Sequence, residues 1–564
     1  MKRSLLFLVI LLALALSVGA FVYAEDRAVS ASKSTVKLPT VFADGMVFQR
    51  GEPINVFGTC ETSGAEIKVT LGEAEACATV VGTSWSVTLP AMEAARGLTL
   101  TVEQQNVLRP APIVIENVDV GEVIVVSGQS NAVYELYKME DYEEYLANAD
   151  NFDNLRVFTT TKAPTPTEEI LTYGDGKWFD VTRSFLENHT VDYYISSVGY
   201  VAATRLAAEF GSDVTVAVMN LCVSGSSIEP WIGYDHLSRA DRNTYNAYKT
   251  FYQENGRWPT SSDECSAYGA NLHPSKNIPG LLNACYIAPY TGFVAGSAVW
   301  YQGESNIGSS TYTSSFNLVK SSYRETFAND TLPFYVVQIQ PYVNDAEKLF
   351  SFRAAQYDFT KNDENVYLIA SFREGGVYTT SDYLRNQPSN GVSTFVHNSR
   401  KSPIGIKLAE EMLLTRFGSE RLTAPKLVSW SVSGKYVTLT FDSDIYLYYG
   451  ENAMGFQISS NGSSFVNATA TVSGNVITLY SARVSSPTHV RYGYGEMTAE
   501  HKTGELVECT SSNQNTAAKT VTLTQDGAEY VFTVDGDTAL RTMLPGNVTN
   551  ETGIALPVFK LKVK

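Results

Sequence analysis

The pattern of apolar and polar residues changes twice along the 564-residue chain, and each change marks a predicted domain boundary. Short alternating segments, split by Gly, Pro and Thr, occupy residues 36–115 and predict a small β-sandwich. From 116 to 420, continuous apolar runs alternate with helix-period stretches, as in a buried parallel sheet with crossover helices. Alternation returns over 424–564, where Asp526-Gly527 indicates a hairpin. We therefore expect an α/β domain flanked by N-terminal and C-terminal β-sandwich domains.

Residues 1–24 have the layout of a secretory signal peptide. Lys2 and Arg3 precede a long apolar stretch, and the small residue Ala24 lies two positions after Val22, as at a signal cleavage site. We therefore expect an exported protein, secreted or held at the cell surface. The alternative is a retained membrane anchor, because the apolar run approaches the ~20 residues that span a bilayer. The remainder has no second run of that kind, which predicts no other integral membrane segment.

Charge and composition narrow the classes of partner. Acidic residues outnumber basic ones by 59 to 42, a net charge of −17, which disfavours binding to nucleic acid or to an anionic membrane surface. Aromatic residues make up 12% of the chain, with 33 tyrosines, which suits β-rich packing and stacking surfaces for sugars. Six cysteines are too few for a disulfide scaffold, and their spacings match no zinc pattern. Two pairs could close local loops, Cys60 with Cys77 and Cys265 with Cys285.

Three polar segments follow apolar runs of the predicted sheet, at the edge where open α/β sheets bind ligands. They are Ser127–Asn131 (SGQSN), Ser224–Trp231 (SGSSIEPW) and Trp300–Asn306 (WYQGESN). Acyl transfer needs a hydroxyl nucleophile, backbone N–H groups that approach an oxyanion, and a side-chain amide as a further donor. Ser130, Gly225 and Gln302 have those chemistries. Each segment alone is a weak signal, because Gly-Ser turns at strand ends usually only turn the chain, whereas the combination is specific.

At these segments the chain resembles the sialate O-acetylesterase group of the SGNH (GDSL-like) hydrolase superfamily. The resemblance covers nearly all of the mature chain, and the string WYQGESN is its most specific part. Other matching segments are Leu38–Pro39, Phe42–Pro53, Val56–Thr59, Gly121–Val123, Pro279, Leu282–Asn283, Arg353–Gln356 and Asn547–Pro557. The resemblance implies an SGNH-type three-layer parallel-sheet hydrolase domain. It also implies a secreted carbohydrate O-acetylesterase that needs no metal or organic cofactor.

The resemblance assigns Ser130 as the nucleophile and places a histidine base after the last strand of the sheet. His397 satisfies that order and precedes the helix-period stretch 404–417. The string His273-Pro274-Ser275-Lys276 imitates the family's His-Pro-x-x-Lys string, but it comes before the third segment and is a decoy. The other histidines are interpreted as surface or structural residues: His189, His236, His489 and His501.

Several positions depart from the family pattern. Asn398 follows the base where the family has Pro, Ala132 stands where Met is common, and Ser224 replaces the first glycine of the second segment. The acid that should orient His397 is not evident, because the common position three residues before it is Thr394. The open alternatives are Asp382, Glu374 and a backbone carbonyl that leaves a Ser-His dyad.

The implied mechanism is acyl transfer from a substrate ester to Ser130, with His397 as the base. The oxyanion donors would be the N–H groups of Ser130 and Gly225 and the amide of Gln302. The substrate would be an O-acetylated carbohydrate, either sialic acid or a plant polysaccharide such as xylan or xyloglucan. A sialic acid carboxylate requires an arginine, for which the candidates are Arg324, Arg353 and Arg373. A different possibility is a carbohydrate-binding surface protein with a decayed hydrolase site. Nothing in the sequence indicates an oligomeric state.

Overall fold

A computed structural model describes most of the chain from Ser34 to Lys564. The residues outside the description are 1–33, 106–110, 161–164, 189–192, 258, 260–263, 265–275, 341–345, 362, 372–395, 398–400, 421–422, 448–452, 454, 495–497, 501–505, 509–518, 526–527, 535–547 and 552–554. The predicted signal peptide therefore lies outside it. Among the helices that are described, none is long and apolar enough to cross a membrane.

The strands, in chain order, are β1 (Val47–Gln49), β2 (Ile54–Thr59), β3 (Glu66–Leu71), β4 (Ala74–Thr79), β5 (Ser84–Leu89), β6 (Ala95–Gln104), β7 (Ile113–Gly128), β8 (Leu155–Thr159), β9 (Lys177–Asp180), β10 (Val216–Cys222), β11 (Ser297–Tyr301), β12 (Phe334–Val337), β13 (Val366–Ile369), β14 (Leu427–Ser433), β15 (Tyr436–Phe441), β16 (Tyr446–Leu447), β17 (Phe456–Ser459), β18 (Val466–Asn467), β19 (Thr469–Ser473), β20 (Val476–Tyr480), β21 (His489–Tyr492), β22 (Thr498–Glu500), β23 (Leu506–Glu508), β24 (Lys519–Gln525), β25 (Ala528–Val534), β26 (Val548–Thr549) and β27 (Phe559–Lys562). The α-helices are α1 (Ser130–Val133), α2 (Tyr142–Ala147), α3 (Glu168–Tyr173), α4 (Arg183–Glu187), α5 (Ser197–Phe210), α6 (Arg239–Asn255), α7 (Leu281–Tyr286), α8 (Tyr312–Thr326), α9 (Ala346–Asp358) and α10 (Ser402–Phe417).

One mixed sheet forms the centre of the molecule, in the strand order β13-β12-β11-β7-β10-β8-β9. Its strands run parallel, except that β9 pairs antiparallel with β8 at one edge. Alternate residues of β7 enter two separate cores: Val123 and Val125 pack on one face, and Ile124 and Val126 on the other. Helix α8 covers the first face, and helices α5 and α10 cover the second. The prediction of an α/β domain is therefore confirmed.

The N-terminal β-region and the α/β sheet share the strand β7, which is 16 residues long. Its first part pairs with β6 and β1, whereas Glu122–Gly128 pairs with β10 and Ser297–Tyr301 pairs with its end. Strands β2 and β5 form a separate antiparallel pair. The predicted boundary between residues 115 and 116 thus falls inside a continuous strand, because a single extended segment serves both sheets.

The C-terminal region returns to antiparallel β-structure, as the alternation predicts. Two four-stranded sheets, β14-β15-β20-β19 and β18-β17-β21-β27, enclose a third core that includes Leu439, Ile477 and Phe559. Strands β24 and β25 pair with Gln525 opposite Ala528, which confirms the hairpin predicted at Asp526-Gly527. These two turn residues themselves lie outside the described part of the chain.

The suggested disulfide between Cys60 and Cys77 is not formed, and both are free thiols. The side chain of Cys60 is buried, with its Sγ 3.3 Å from Thr35 Oγ1, whereas Cys77 is exposed on β4. A disulfide needs the two side chains to face each other, whereas one of these thiols is buried and the other is exposed. Cys285 is also a free, buried thiol, and Cys265 lies outside the described residues.

Gln338, just after β12, joins the α/β sheet to the C-terminal end of the chain. Its side chain is fully buried; Nε2 donates to the carbonyls of Arg353 at 2.8 Å and Val558 at 3.1 Å, and Oε1 accepts from the Val558 N–H at 3.2 Å. Replacing the amide with an apolar group would leave both backbone groups of Val558 buried without these partners, which costs about 1–3 kcal/mol each.

We therefore predict that Gln338→Leu lowers the stability of the protein by about 3 kcal/mol and its Tm by several degrees. Differential scanning calorimetry measures the effect. Gln105→Leu is the matched control, because its half-buried amide bonds the carboxylate of Glu103, a side chain, and no backbone group in the described part of the chain. Equal Tm values for the two variants would contradict the structural role of Gln338.

Candidate active site

The register of the central sheet brings the three predicted segments to one edge. Both Cys222, at the end of β10, and Tyr301, at the end of β11, lie opposite Gly128 of β7. The N–H of Gln129 donates to the Tyr301 carbonyl at 3.1 Å, and the N–H of Val223 donates to the Gly128 carbonyl at 3.0 Å. The segments that begin at 127, 224 and 300 therefore lie side by side at the carboxyl ends of three parallel strands.

The turn that carries Ser130 depends on a glycine. Gly128 has a φ of +136°, and a Cβ at this position would lie 2.2 Å from the Tyr301 carbonyl oxygen. Gln129 is extended, and Ser130 then begins the short helix α1. Ser130 is half-buried, and neither its hydroxyl nor its N–H makes a hydrogen bond to any described residue. Its hydroxyl is therefore available for chemistry.

Gly225 lies on an exposed turn after β10, with a φ of +67°. Its N–H has no hydrogen-bond partner within the described ranges of the chain. The Nζ of Lys276 donates to the neighbouring Ser224 carbonyl, and a Cβ on Gly225 would lie 3.0 Å from that Nζ. Glycine fits beside the Lys276 side chain at this position, and its backbone N–H is available to a ligand.

Gln302 is fully buried, and its NH₂ group is in contact with three acceptors. Nε2 lies 2.7 Å from Asn306 Oδ1, 3.1 Å from Gln129 Oε1 and 3.2 Å from the Ser226 carbonyl. The Ser226 carbonyl can only accept, so the NH₂ group must face it, and this fixes the orientation of the amide. Oε1 is buried with no hydrogen-bond partner in the described structure. In this arrangement the NH₂ group holds the second and third segments together.

His397 reaches the site through its neighbour in the chain. The Val396 carbonyl accepts a hydrogen bond from Nδ2 of Asn131, the residue after Ser130, at 2.9 Å. His397 is half-buried, and its Nε2 is buried with no hydrogen-bond partner among the residues that are described. Burial lowers the pKa of His397 to about 4, and the positive charges of Lys401 and Lys138 act in the same direction. The ring is therefore neutral above that pH and can accept a proton.

The other predicted residues fall into three groups. His236 bonds the Glu325 carboxylate at 3.0 Å, and His489 bonds the Thr488 hydroxyl at 2.8 Å in the C-terminal β-region, so both have structural partners. Arg324 forms an ion pair with Asp363 at 2.8 Å, and Arg353 is fully buried. Outside the described residues lie His189, His273, His501, Arg373, Glu374, Asp382 and Thr394.

Two buried amides at the site do not stand out in the sequence. Oε1 of Gln129 accepts from Nε2 of Gln302 and from the N–H of Ser305 at 3.1 Å, which holds the third turn against the first. Asn306 accepts from the Ile228 N–H at 3.0 Å and donates to the Glu229 carboxylate at 3.2 Å. Both lie inside the predicted segments, but their spacing gives no sign of which side chains turn inward.

Comparison with known proteins shows what the fold is similar to. No protein-family model and no curated protein sequence matches the chain. A carbohydrate acetylesterase from Xanthomonas citri aligns with a TM-score of 0.67 and 22% identity, over 94% of this chain and 100% of that one. The chain shares its overall fold with that enzyme. NanS aligns with a TM-score of 0.31 and 13% identity, over 53% of this chain and 98% of that one, which is too weak a likeness to carry an argument.

We predict that the His397 ring titrates near pH 4, well below the usual value of about 6.5, because burial and two nearby cations penalise its charged form. Histidine-selective NMR across pH 3–8 measures this, and the His397→Gln variant assigns the signal. Between pH 6.5 and 4 the unfolded chain would bind a proton that the folded chain does not, so the contribution of this group to stability is lost as the pH falls through that window. A midpoint near 6.5 would show that the ring is solvated.

Proposed function

We propose that this protein is a carbohydrate O-acetylesterase that acts through Ser130 and His397. The observation that carries the proposal is a contact between their chain neighbours: Asn131, the residue after Ser130, donates to the carbonyl of Val396, the residue before His397. The serine has a hydroxyl without a described partner, and the imidazole is neutral with a buried, unbonded Nε2. Acyl transfer requires at least a nucleophile and a nearby base that activates it. The fold shared with the Xanthomonas citri enzyme agrees with this chemistry.

In the proposed reaction, the Ser130 hydroxyl attacks the carbonyl carbon of the acetyl ester while His397 takes its proton. The tetrahedral intermediate collapses when the imidazolium returns that proton to the sugar oxygen, which leaves as a hydroxyl group. Water, deprotonated by the same ring, then attacks acetyl-Ser130, and the imidazolium returns the proton to the Ser130 oxygen as the acyl bond breaks and acetate leaves. The resemblance implies no cofactor for either step.

The oxyanion of each intermediate needs hydrogen-bond donors that are free before the substrate arrives. The N–H groups of Ser130 and Gly225 meet that requirement within the described structure. Gln302 is the third proposed donor, and it would have to exchange one of its present acceptors for the oxyanion. Loss of one such donor typically costs ~3 kcal/mol of transition-state stabilisation, or about a hundredfold in rate.

The sugar is proposed to be an acetylated, uncharged polysaccharide such as xylan or xyloglucan in preference to O-acetyl sialic acid. A sialic acid carboxylate calls for an exposed guanidinium group. Arg324 already binds Asp363, and Arg353 has no exposed surface, so neither presents a guanidinium group to a carboxylate. Of the three candidate arginines, Arg373 is the one left for the sialic acid alternative.

An acetate-release panel tests this choice. Purified protein is incubated with acetylated xylan, acetylated xyloglucan fragments and 9-O-acetyl sialic acid, and acetate is quantified by a coupled enzyme assay. We expect higher kcat/KM values on the polysaccharide fragments, with Ser130→Ala as the blank. A higher value on sialic acid would overturn the proposed substrate while leaving the esterase intact.

The non-enzyme alternative is a carbohydrate-binding surface protein with a decayed hydrolase site. A fluorophosphonate probe separates the two, because only an activated serine reacts with it. We expect mass spectrometry to find the label on the peptide that contains Ser130. An unlabelled serine, together with no acetate release, would favour the binding protein.

We predict that Ser130→Ala and His397→Ala each reduce 4-nitrophenyl acetate hydrolysis at least about a hundredfold while the far-ultraviolet circular dichroism stays unchanged, because both residues act in chemistry more than in packing. His236→Ala is the control, since that ring bonds Glu325 at the surface and should leave the rate unaltered. Full activity of His397→Ala, with loss of activity in His273→Ala, would move the base to His273.

We predict that Gln302→Ala lowers kcat by about a hundredfold and changes KM much less, because an oxyanion contact is made mainly in the transition state. Initial rates over a range of substrate concentrations give the two constants. Asn306→Ala is a useful comparison, because it removes a partner of Gln302 Nε2 and keeps the amide of Gln302 itself. An unchanged kcat for Gln302→Ala would remove this residue from the oxyanion hole.

A further inference from the structure

Lys401 is a fully buried lysine beside the proposed active site. Its Nζ donates to Asn131 Oδ1 at 2.7 Å and to Gln340 Oε1 at 3.3 Å. The same Nζ lies 5.0 Å from the ring centroid of Tyr134 and 5.5 Å from that of Tyr301. Moving an ammonium group out of water costs several kcal/mol. Two amide oxygens and two aromatic faces offset that cost, so the surroundings of Lys401 form a built site for a cation.

Asn131 passes the influence of Lys401 to the reacting groups. An ammonium can only donate, so the atom of Asn131 that faces Lys401 must be the oxygen. Its NH₂ group then faces two acceptors, the Glu304 carboxylate at 2.5 Å and the Val396 carbonyl at 2.9 Å. All three contacts are therefore consistent with a single orientation of the amide, which Lys401 dictates.

The contacts of Asn131 tie four segments together. Asn131 itself follows Ser130, Val396 precedes His397, Glu304 belongs to the third segment, and Lys401 adjoins the helix α10. The Lys401 carbonyl accepts the N–H groups of residues 404 and 405 at 3.1 and 3.0 Å, which anchors it to the first turn of that helix. A rigid helix thus fixes the cation, the cation fixes the amide, and the amide fixes the spacing between nucleophile and base.

Lys401 also contributes to the charge around the base. The described charged groups that act on His397 are Lys401, Lys138 and Glu135. Lys138 forms an ion pair with Glu135 at 2.8 Å, so their effects on the ring oppose each other. Burial raises the pKa of Glu304, whereas the hydrogen bond from Asn131 and the charge of Lys401 lower it. Loss of Lys401 would therefore disturb both the base and the carboxylate that shares Asn131.

We propose that Lys401 is a positioning residue that, through Asn131, holds the segment carrying His397 against the turn carrying Ser130. The proposal rests on the esterase function proposed above. Lys401 donates to Asn131, which follows Ser130 and in turn donates to the carbonyl that precedes His397, so its positioning effect passes through this amide. The Asn131 amide acts as the coupling element, because it bonds both Lys401 and the Val396 carbonyl.

The test compares Lys401→Met, which removes both charge and donor, with Lys401→Gln, which removes the charge and keeps an NH₂ donor. Lys407→Met is the matched control: this half-buried lysine lies on the same helix and bonds the Ala370 carbonyl at 3.1 Å. Each variant is assayed for kcat, KM, the pH profile of kcat/KM and the rate of fluorophosphonate labelling at Ser130.

We expect Lys401→Met to lower kcat at least about thirtyfold, with KM changed less than threefold, and to slow labelling by a similar factor. Removing a cation makes protonation of His397 easier, so the acid limb of kcat/KM should move to higher pH in both Lys401 variants. Lys401→Gln should retain more kcat than Lys401→Met, because its NH₂ group can still donate to Asn131. Lys407→Met should match the wild type in every measurement.

A double-mutant cycle tests the route through Asn131. If Lys401 acts through this amide, Asn131→Ala combined with Lys401→Met should cost no more in kcat than the worse single variant. Multiplicative losses of kcat would overturn the coupling through Asn131. A wild-type kcat with an unmoved acid limb in Lys401→Met would overturn the positioning role.

If Lys401→Met does not fold, Lys401→Gln provides the same comparison of kcat and of the acid limb. Failure of the esterase proposal looks different, because the wild type itself would then release no acetate and take up no label.

Discussion

The close approach of two backbones at Gly128 is the constraint on which the site depends. With a Cβ position only 2.2 Å from the Tyr301 carbonyl, no other residue fits while β7 and β11 stay paired to their ends. The same pairing aligns Tyr301 and Cys222 with Gly128, so the polar segments after all three strands start at one level. A larger residue would separate the nucleophile turn from the third segment before any chemistry could occur.

Neutral side-chain amides hold together the three turns that follow β7, β10 and β11. Gln129, Gln302 and Asn306 are buried; Gln129 joins the first turn to the third, and Gln302 and Asn306 join the third turn to the second, through hydrogen bonds of 2.7–3.2 Å. An amide offers both donors and acceptors without the desolvation cost of a charge, so a compact network can be satisfied in several directions at once. The charged groups Lys401 and Glu304 then lie at the edge of this network, where Asn131 separates them.

Much of the fold could be predicted because parallel strands buried on both faces produce continuous apolar runs, as β7, β10 and β11 do. The boundary at residue 115 could not be placed, since a strand shared by two sheets leaves no break in the pattern. The catalytic candidates follow from strand ends and from resemblance. The contacts of Lys401 could not be predicted from the sequence, because residue spacing does not show that this lysine is fully buried against the Asn131 amide.

The charges near His397 distinguish a carboxylate from a backbone carbonyl as the group that orients its ring, because the two have different effects on the pKa of the imidazole. A carboxylate beside the ring stabilises the imidazolium and raises its pKa, whereas a backbone carbonyl orients the ring with little effect on its charge. Burial and Lys401 act in the opposite direction and lower that pKa to about 4. An acid at Asp382 or Glu374 would thus have to overcome both effects before the imidazolium became stable. With a carbonyl alone, the ring remains a weak base that works through proximity to Ser130, and the fixed spacing imposed by Asn131 then matters more for the rate than the basicity of the ring.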